Sequence, residues 1–146
     1  MRDLSQEEYQ ALAEFRYQIR SFLHFSEEQA RAHGLEPQQQ QLLLAIKGLP
    51  DGVVASVGEL AERLRLKHHS VVELIDRLER HGYVSRQASD EDRRQVIVRL
   101  TGAGSSVLGK LSVAHHQELE TAGPELARAL RSVARQHRIR QRRSVA

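Results

Sequence analysis

The sequence predicts a mainly α-helical fold carrying one small β-hairpin, and three observations predict it. Residues 56–82 hold two short apolar patterns of helical period separated by a tight turn. Residues 83–100 hold two short runs of roughly period two around a charged tip. On either side, residues 5–33 and 102–140 read as helical segments with cap residues at their starts. A helix-turn-helix followed directly by a basic hairpin is a winged helix-turn-helix, here spanning 35–101, and the flanking helices are left to find a partner.

In chain order, Ser5 can cap the first helix, and Glu8 three positions later completes a capping box. Leu12, Phe15, Ile19, Phe22 and Leu23 form its apolar stripe, and Gly34 ends it. Pro37 suits the first turn of a second helix that runs to Lys47, with Leu42, Leu43 and Ile46 turned inward. Residues 48–52 are rich in turn formers, and residues 53–57 can hold a very short third strand.

In the helix-turn-helix, Val57, Leu60, Ala61 and Leu64 share one face of the first helix. Arg65, Leu66 and Lys67 make a turn short enough to force the next helix across it. Val71, Leu74, Ile75 and Leu78 repeat the stripe, while Ser70, Glu73, Arg77 and Arg80 occupy the opposite face. His81 and Gly82 end this second helix, since glycine tolerates the left-handed conformation there. In this motif the N-terminal residues of the second helix enter the major groove. Here those are Lys67, His68, His69 and Ser70, each able to bond a base edge or a phosphate.

The hairpin pairs residues 83–86 with residues 95–100, where Val96, Val98 and Leu100 alternate with Gln95, Ile97 and Arg99. Its tip, Ser89 to Arg94, ends on Arg93 and Arg94, which suit the narrow, negative minor groove. Asp92 is placed to form an ion pair with Arg94 at the wing, and Arg86 in the first strand is a further candidate DNA-contacting cation. Thr101 then caps a helix over residues 102–121. Gly123-Pro124 is expected to break it, with a last helix running from Pro124 to about Arg138.

Taken together these residues resemble the winged helix-turn-helix of the MarR family of bacterial transcription regulators. The resemblance rests on Leu60-Ala61-Glu62-Arg63-Leu64, His69-Ser70-Val71-Val72, Asp76-Arg77-Leu78-Glu79 and Gly82-Tyr83-Val84. It continues through Asp92-Arg93-Arg94, Val98-Arg99-Leu100-Thr101 and Gly104. Each motif is weak alone; their order and spacing over residues 35–110 are specific, and the long flanking helices extend the likeness over almost the whole chain. It implies a homodimer, a single MarR-like domain over 1–146, and a palindromic double-stranded DNA operator. It also implies a repressor released by a small aromatic or anionic effector. Base contacts would fall on Lys67 to Ser70, Glu73 and Arg77, and minor-groove contacts on Arg93 and Arg94. Many relatives cap the recognition helix with Ser or Thr; Lys67 and paired His68-His69 stand here, so no operator sequence is implied.

Charge distribution agrees with a face turned toward DNA. Net charge is only +3, but residues 128–143 hold seven arginines and no acid. That tail reads either as a solvated helix end or as a phosphate contact. Aromatics are 4% of the chain, so the core must be aliphatic. The absence of cysteine excludes disulfides, thiolate metal sites and a thiol switch. No apolar run approaches a membrane span and the opening residues are polar and acidic, so a cytoplasmic chain with no membrane partner is expected.

So long a first helix cannot be covered by so small a body, and a second copy supplies cover by two-fold symmetry. Leu119, Leu126, Leu130 and Val133 are candidates for that interface. Such a dimer would set two recognition helices roughly 34 Å apart, one DNA turn. Phe22, His24 and Phe25 could line an effector pocket, against core packing as the commoner fate of an aromatic stripe. No cofactor and no metal site is expected: His68-His69 and His115-His116 are adjacent pairs, which diverge on a helix, although His24 or His33 meeting His115 or His116 across the fold stays open. Nor does the chain carry a nucleophile elbow, phosphate loop or metal-ligand set, so no enzyme is expected. The reading kept beside DNA regulation is a winged-helix protein-interaction module that binds no DNA.

Overall fold

The two cap predictions, at the starts of the first and last helices, hold atom by atom. The Glu8 N–H donates to Ser5 Oγ at 3.3 Å, and the Ser5 N–H donates to Glu8 Oε2 at 2.7 Å. At the start of the last helix the Gly104 N–H donates to Thr101 Oγ1 at 3.1 Å. The computed structural model describes residues 3–144, with side chains throughout except those of His137, Arg140 and Ser144. Its elements are α1 (Gln6–Ala32), α2 (Pro37–Lys47), α3 (Val57–Leu64), α4 (His68–Arg80), β1 (Val84–Ala88), β2 (Val96–Leu100) and α5 (Gly102–Ser144).

Contacts gather into two units. One takes residues 29–113; the other takes the described residues up to 28 and from 114 onward.

In the first unit α2, α3, α4 and the hairpin close over a core of Leu42, Leu43, Leu60, Val71, Ile75, Leu78 and Val98, all at most 1% exposed. Each such aliphatic side chain contributes about 1.5–3 kcal/mol by leaving water. The end of α1 adds Ala30, and the start of α5 adds Leu108 and Leu111. Glu36 caps α2 in a reciprocal box with Gln39, and Pro37 sits in its first turn, where the missing N–H costs nothing. Ser56 caps α3 by accepting from the Glu59 N–H at 3.1 Å. Arg65 then takes a left-handed conformation (φ 54°), which turns the chain within three residues into α4.

β1 and β2 pair antiparallel with Val84 opposite Leu100 and Ala88 opposite Val96. The expected third strand reduces to one bridge, Ser56 to Ile97, beside the Val98 N–H donating to Ala55 O at 2.9 Å. It goes no further because α3 begins at Val57 and withdraws the backbone. Behind the hairpin Thr101 Oγ1 donates to Gly82 O at 2.6 Å, and the Thr101 N–H donates to Tyr83 O at 3.0 Å. Gly104 packs so close that an added Cβ would lie 2.0 Å from Tyr83 O.

In the second unit α1 and α5 run antiparallel. His115 meets Ser26 at 2.7 Å, and Gln136 Nε2 donates to Glu7 O at 3.2 Å. Here one prediction fails: α5 does not break at Gly123-Pro124 but continues through it to Ser144. Proline removes one i→i−4 hydrogen bond yet keeps a helical φ. The segments before and after it are both anchored on α1, at Ser26 and at Glu7, so a break would forfeit one of the two contacts.

A candidate nucleic-acid interface

The face of α4 turned away from the core is polar along its length. Lys67, His68, His69, Glu73 and Arg77 are exposed and Ser70 is half-buried, while Val71, Leu74, Ile75 and Leu78 hold the helix in place from behind. Lys67 occupies the N-cap without a side-chain hydrogen bond. The first-turn N–H groups of α4 thus lack a side-chain cap, which leaves them to water or to an incoming anion. A shallow depression of about 430 Å³ adjoins this end, lined by Gly58, Ala61, Glu62, Arg65, Leu66 and Lys67. Arg65 was not singled out in the sequence, and only its position in the turn places it beside Lys67.

The wing tip is built around Ser89, which is 7% exposed. Its Oγ accepts from the Glu91 and Asp92 N–H groups at 3.3 and 3.4 Å, and its own N–H donates to Gln95 O at 2.9 Å. Asp92 Oδ1 accepts the Arg94 backbone N–H at 3.0 Å. This corrects the expected wing ion pair: Asp92 shapes the turn through the Arg94 backbone and does not hold its guanidinium. A two-residue reach of this kind is the ordinary Asx turn, which competes with the longer side-chain pairing. Arg93 and Arg94 extend from this turn exposed, and neither has an acidic partner among the described residues.

Two expected DNA-contacting cations are engaged within the protein. Arg86 pairs with Asp76 through Nη2 and lies 3.8 Å from Glu79 Oε1 through Nη1. It is therefore a strut between β1 and α4. Arg77 Nη1 lies 3.1 Å from Glu36 Oε2, joining α4 to the cap of α2. Neither arginine was paired from sequence with the acids that hold the two, Asp76, Glu79 and Glu36. Asp76 and Glu79 stand three apart on one helix, a spacing that could have flagged a shared cation.

Of the three expected effector-lining residues, two come together. Phe22 and Phe25 both set their rings edge-on to His115, with centroids 5.9 and 5.6 Å away. His24 departs from this group: it is exposed and pairs with Glu28 at 3.1 Å, because one residue along a helix rotates the side chain by about 100°. His115, from α5, takes the place expected for His24. His33, just past the end of α1, has its Nδ1 2.9 Å from Gln29 O of that helix. Among the described residues no group of three His, Asp or Glu side chains is placed to hold a metal ion, and no helix is long and apolar enough to cross a membrane.

Residues 33–95, which hold α2 to α4, β1 and the wing tip, match the sequence model of the MarR family. The match identifies this segment as MarR-like. It is 33% identical to the HTH-type transcriptional regulator YfiV of Bacillus subtilis, over 64% of this chain and 59% of that one. It is 35% identical to the transcriptional activatory protein BadR of Rhodopseudomonas palustris, over 62% of this chain and 53% of that one. The chain thus spans between half and three fifths of these relatives' own length. Solved structures extend the fold over nearly all of it. AbsC of Streptomyces coelicolor superposes with a TM-score of 0.72 at 22% identity, covering 94% of this chain and 99% of AbsC. A MepR variant of S. aureus, bound to an oligodeoxyribonucleotide, superposes with a TM-score of 0.62 at 16% identity, covering 99% of this chain and 100% of MepR. In MarR terms α4 stands in the place of the recognition helix and β1–β2 in that of the wing, while α1, β2 and α5 lie outside the matched segment.

Proposed function

We propose that this chain is a sequence-specific transcription regulator of MarR type that binds duplex DNA as a homodimer on a palindromic operator. One observation carries the reading: a recognition helix with an uncapped N-terminus and an exposed polar face, in the same lobe as a wing whose Arg93 and Arg94 are unpaired among the described residues. Cations with no partner in the protein are free to replace the counterions of phosphates, which supplies affinity. Lys67, His68, His69, Ser70 and Glu73 supply the choice of sequence. Arg86 and Arg77 serve by holding the wing and α2 against α4.

Exposed apolar residues support the dimer. Tyr9, Leu12, Tyr17 and Leu23 of α1 and Leu119, Leu130 and Ile139 of α5 are all at least 38% exposed. A second copy would cover them by two-fold symmetry. Repression by blocking promoter access is the mode we propose, with release by a small aromatic anion set against Phe22, Phe25 and His115. The single MarR-like domain over 1–146 would then act as one unit, with 35–101 reading DNA and 5–33 and 102–140 dimerising. Fluorescence anisotropy with labelled duplex tests the DNA reading: Arg94→Ala should weaken binding by ten- to a hundred-fold, about 1–3 kcal/mol, with an unchanged melting temperature. Undiminished binding would remove the wing from the interface, and a wild-type chain indifferent to duplex would leave the protein-interaction module.

A further inference from the structure

A separate charged surface lies on the C-terminal third of α5. Arg128, Arg131, Arg135, Arg138 and Arg142 succeed one another at intervals of three and four residues. Because α5 runs unbroken through Pro124 to Ser144, this spacing aligns them on one face. At 1.5 Å of rise per residue the stripe is roughly 21 Å long. All five are exposed, and no Asp or Glu stands between Glu125 and residue 146. Arg128 pairs with Glu125 at 2.8 Å; the other four have no acidic partner among the described residues.

We infer that this stripe is a second, sequence-independent binding surface for the phosphate backbone of duplex nucleic acid. A row of guanidinium groups in one line has no use for a point-like ligand, but it fits a partner whose charge is continuous along a line. Duplex DNA offers one charge per about 1.7 Å of axis, and guanidinium groups grip phosphate bidentately. The rest of the helix argues against the other polyanions. A helix that lies in a membrane surface does so by burying an apolar face. Here the face away from the stripe is taken up within the protein: Ala129 is buried, Leu126 and Val133 are half-buried, and Gln136 bonds Glu7, while the exposed Leu130 and Ile139 are two single residues that form no continuous apolar face. Single strands are held by stacking bases on aromatic rings, and α5 contains no Phe, Tyr or Trp. The proposal rests on the DNA reading only for the class of partner, since the surface is separate from the recognition helix and the wing.

The test uses the full chain with Arg131→Gln, Arg135→Gln, Arg138→Gln and Arg142→Gln combined, against labelled duplex of scrambled sequence between 50 and 200 mM salt. Glutamine is a good helix former, and a matching four-lysine variant keeps the charge. Loss of four phosphate contacts should make the slope of log affinity against log salt shallower by about 3–4 and weaken binding at least ten-fold at low salt. The lysine variant should keep the wild-type slope, and the ratio of operator to scrambled affinity should stay within about two-fold. Unchanged slope and affinity in the glutamine variant would overturn the proposal. So would intact duplex binding combined with lost binding to phosphatidylserine vesicles or to poly-glutamate. Arg94→Ala run alongside separates the two readings: a silent stripe with an active wing sinks this inference alone, and a silent wing with an active stripe sinks only the wing's role.

Discussion

The guanidinium of Arg86, on the first wing strand, pairs with the carboxylate of Asp76 on the recognition helix. The wing is otherwise a two-stranded ribbon held at its base, and an isolated ribbon is marginal in water. This pair, with Glu79 beside it, fixes the wing's angle to the helix it flanks. Both partners are partly exposed (33% and 47%), so their coupling should be worth under about 1 kcal/mol in a double-mutant cycle of Arg86→Ala and Asp76→Ala. DNA affinity should fall by more than stability does, because the wing loses its aim. Equal losses in the two single variants and no coupling between them would show that the pair does not position the wing.

Gly104 of α5 lies directly against the backbone of Tyr83, the residue before β1. Gly104→Ala would bring a methyl carbon to 2.0 Å from Tyr83 O, a backbone atom that cannot swing aside. Destabilisation of about 2–3 kcal/mol is expected in a urea titration. Gly109, on the same helix with nothing near its Cβ position, is the control. Gly109→Ala should stabilise by about 0.5–1 kcal/mol, because alanine replaces a flexible residue in a helix interior.

Leu130 is 52% exposed on α5 in a single copy. If the long helices dimerise, Leu130→Glu buries a charge in the interface and should convert the dimer to a monomer in sedimentation velocity. The melting transition of the 29–113 lobe should persist. An unaltered sedimentation coefficient would place the interface elsewhere.

His69 and Ser70 lie in the first turn of α4, whose side chains would reach base edges in the proposed reading. His69→Ala and Ser70→Ala should change which base is preferred at one or two operator positions, at about 1–3 kcal/mol per mismatch. Affinity for scrambled duplex should change little. Identical base preferences in both variants would remove these residues from sequence choice.

The elements inside the DNA-reading lobe were legible because each is locally encoded. Val57, Leu60 and Leu64 define α3 by their stripe, and Gly82 (φ 78°) ends α4 where a left-handed residue is needed. What the sequence did not give away depended on partners distant in the chain. Continuity through Pro124 requires α1 to hold both halves of α5, at Ser26 and at Glu7. The grouping of Phe22 and Phe25 with His115 likewise exists only once the two helices are antiparallel. Arg86 and Arg77 read as free cations in the sequence, since the carboxylates that hold them come from other elements of the fold. At the wing tip the competition was local: Asp92 lies close enough to the Arg94 N–H to accept it, and that bond displaced the side-chain pair.

Selection of bound sequences from a random duplex pool tests the central claim most directly. A homodimer reading the major groove with α4 should enrich a two-fold symmetric motif whose half-site centres lie about 10–10.5 base pairs apart, or a multiple of that. A pool that returns no enriched sequence, or only an asymmetric one, would contradict it.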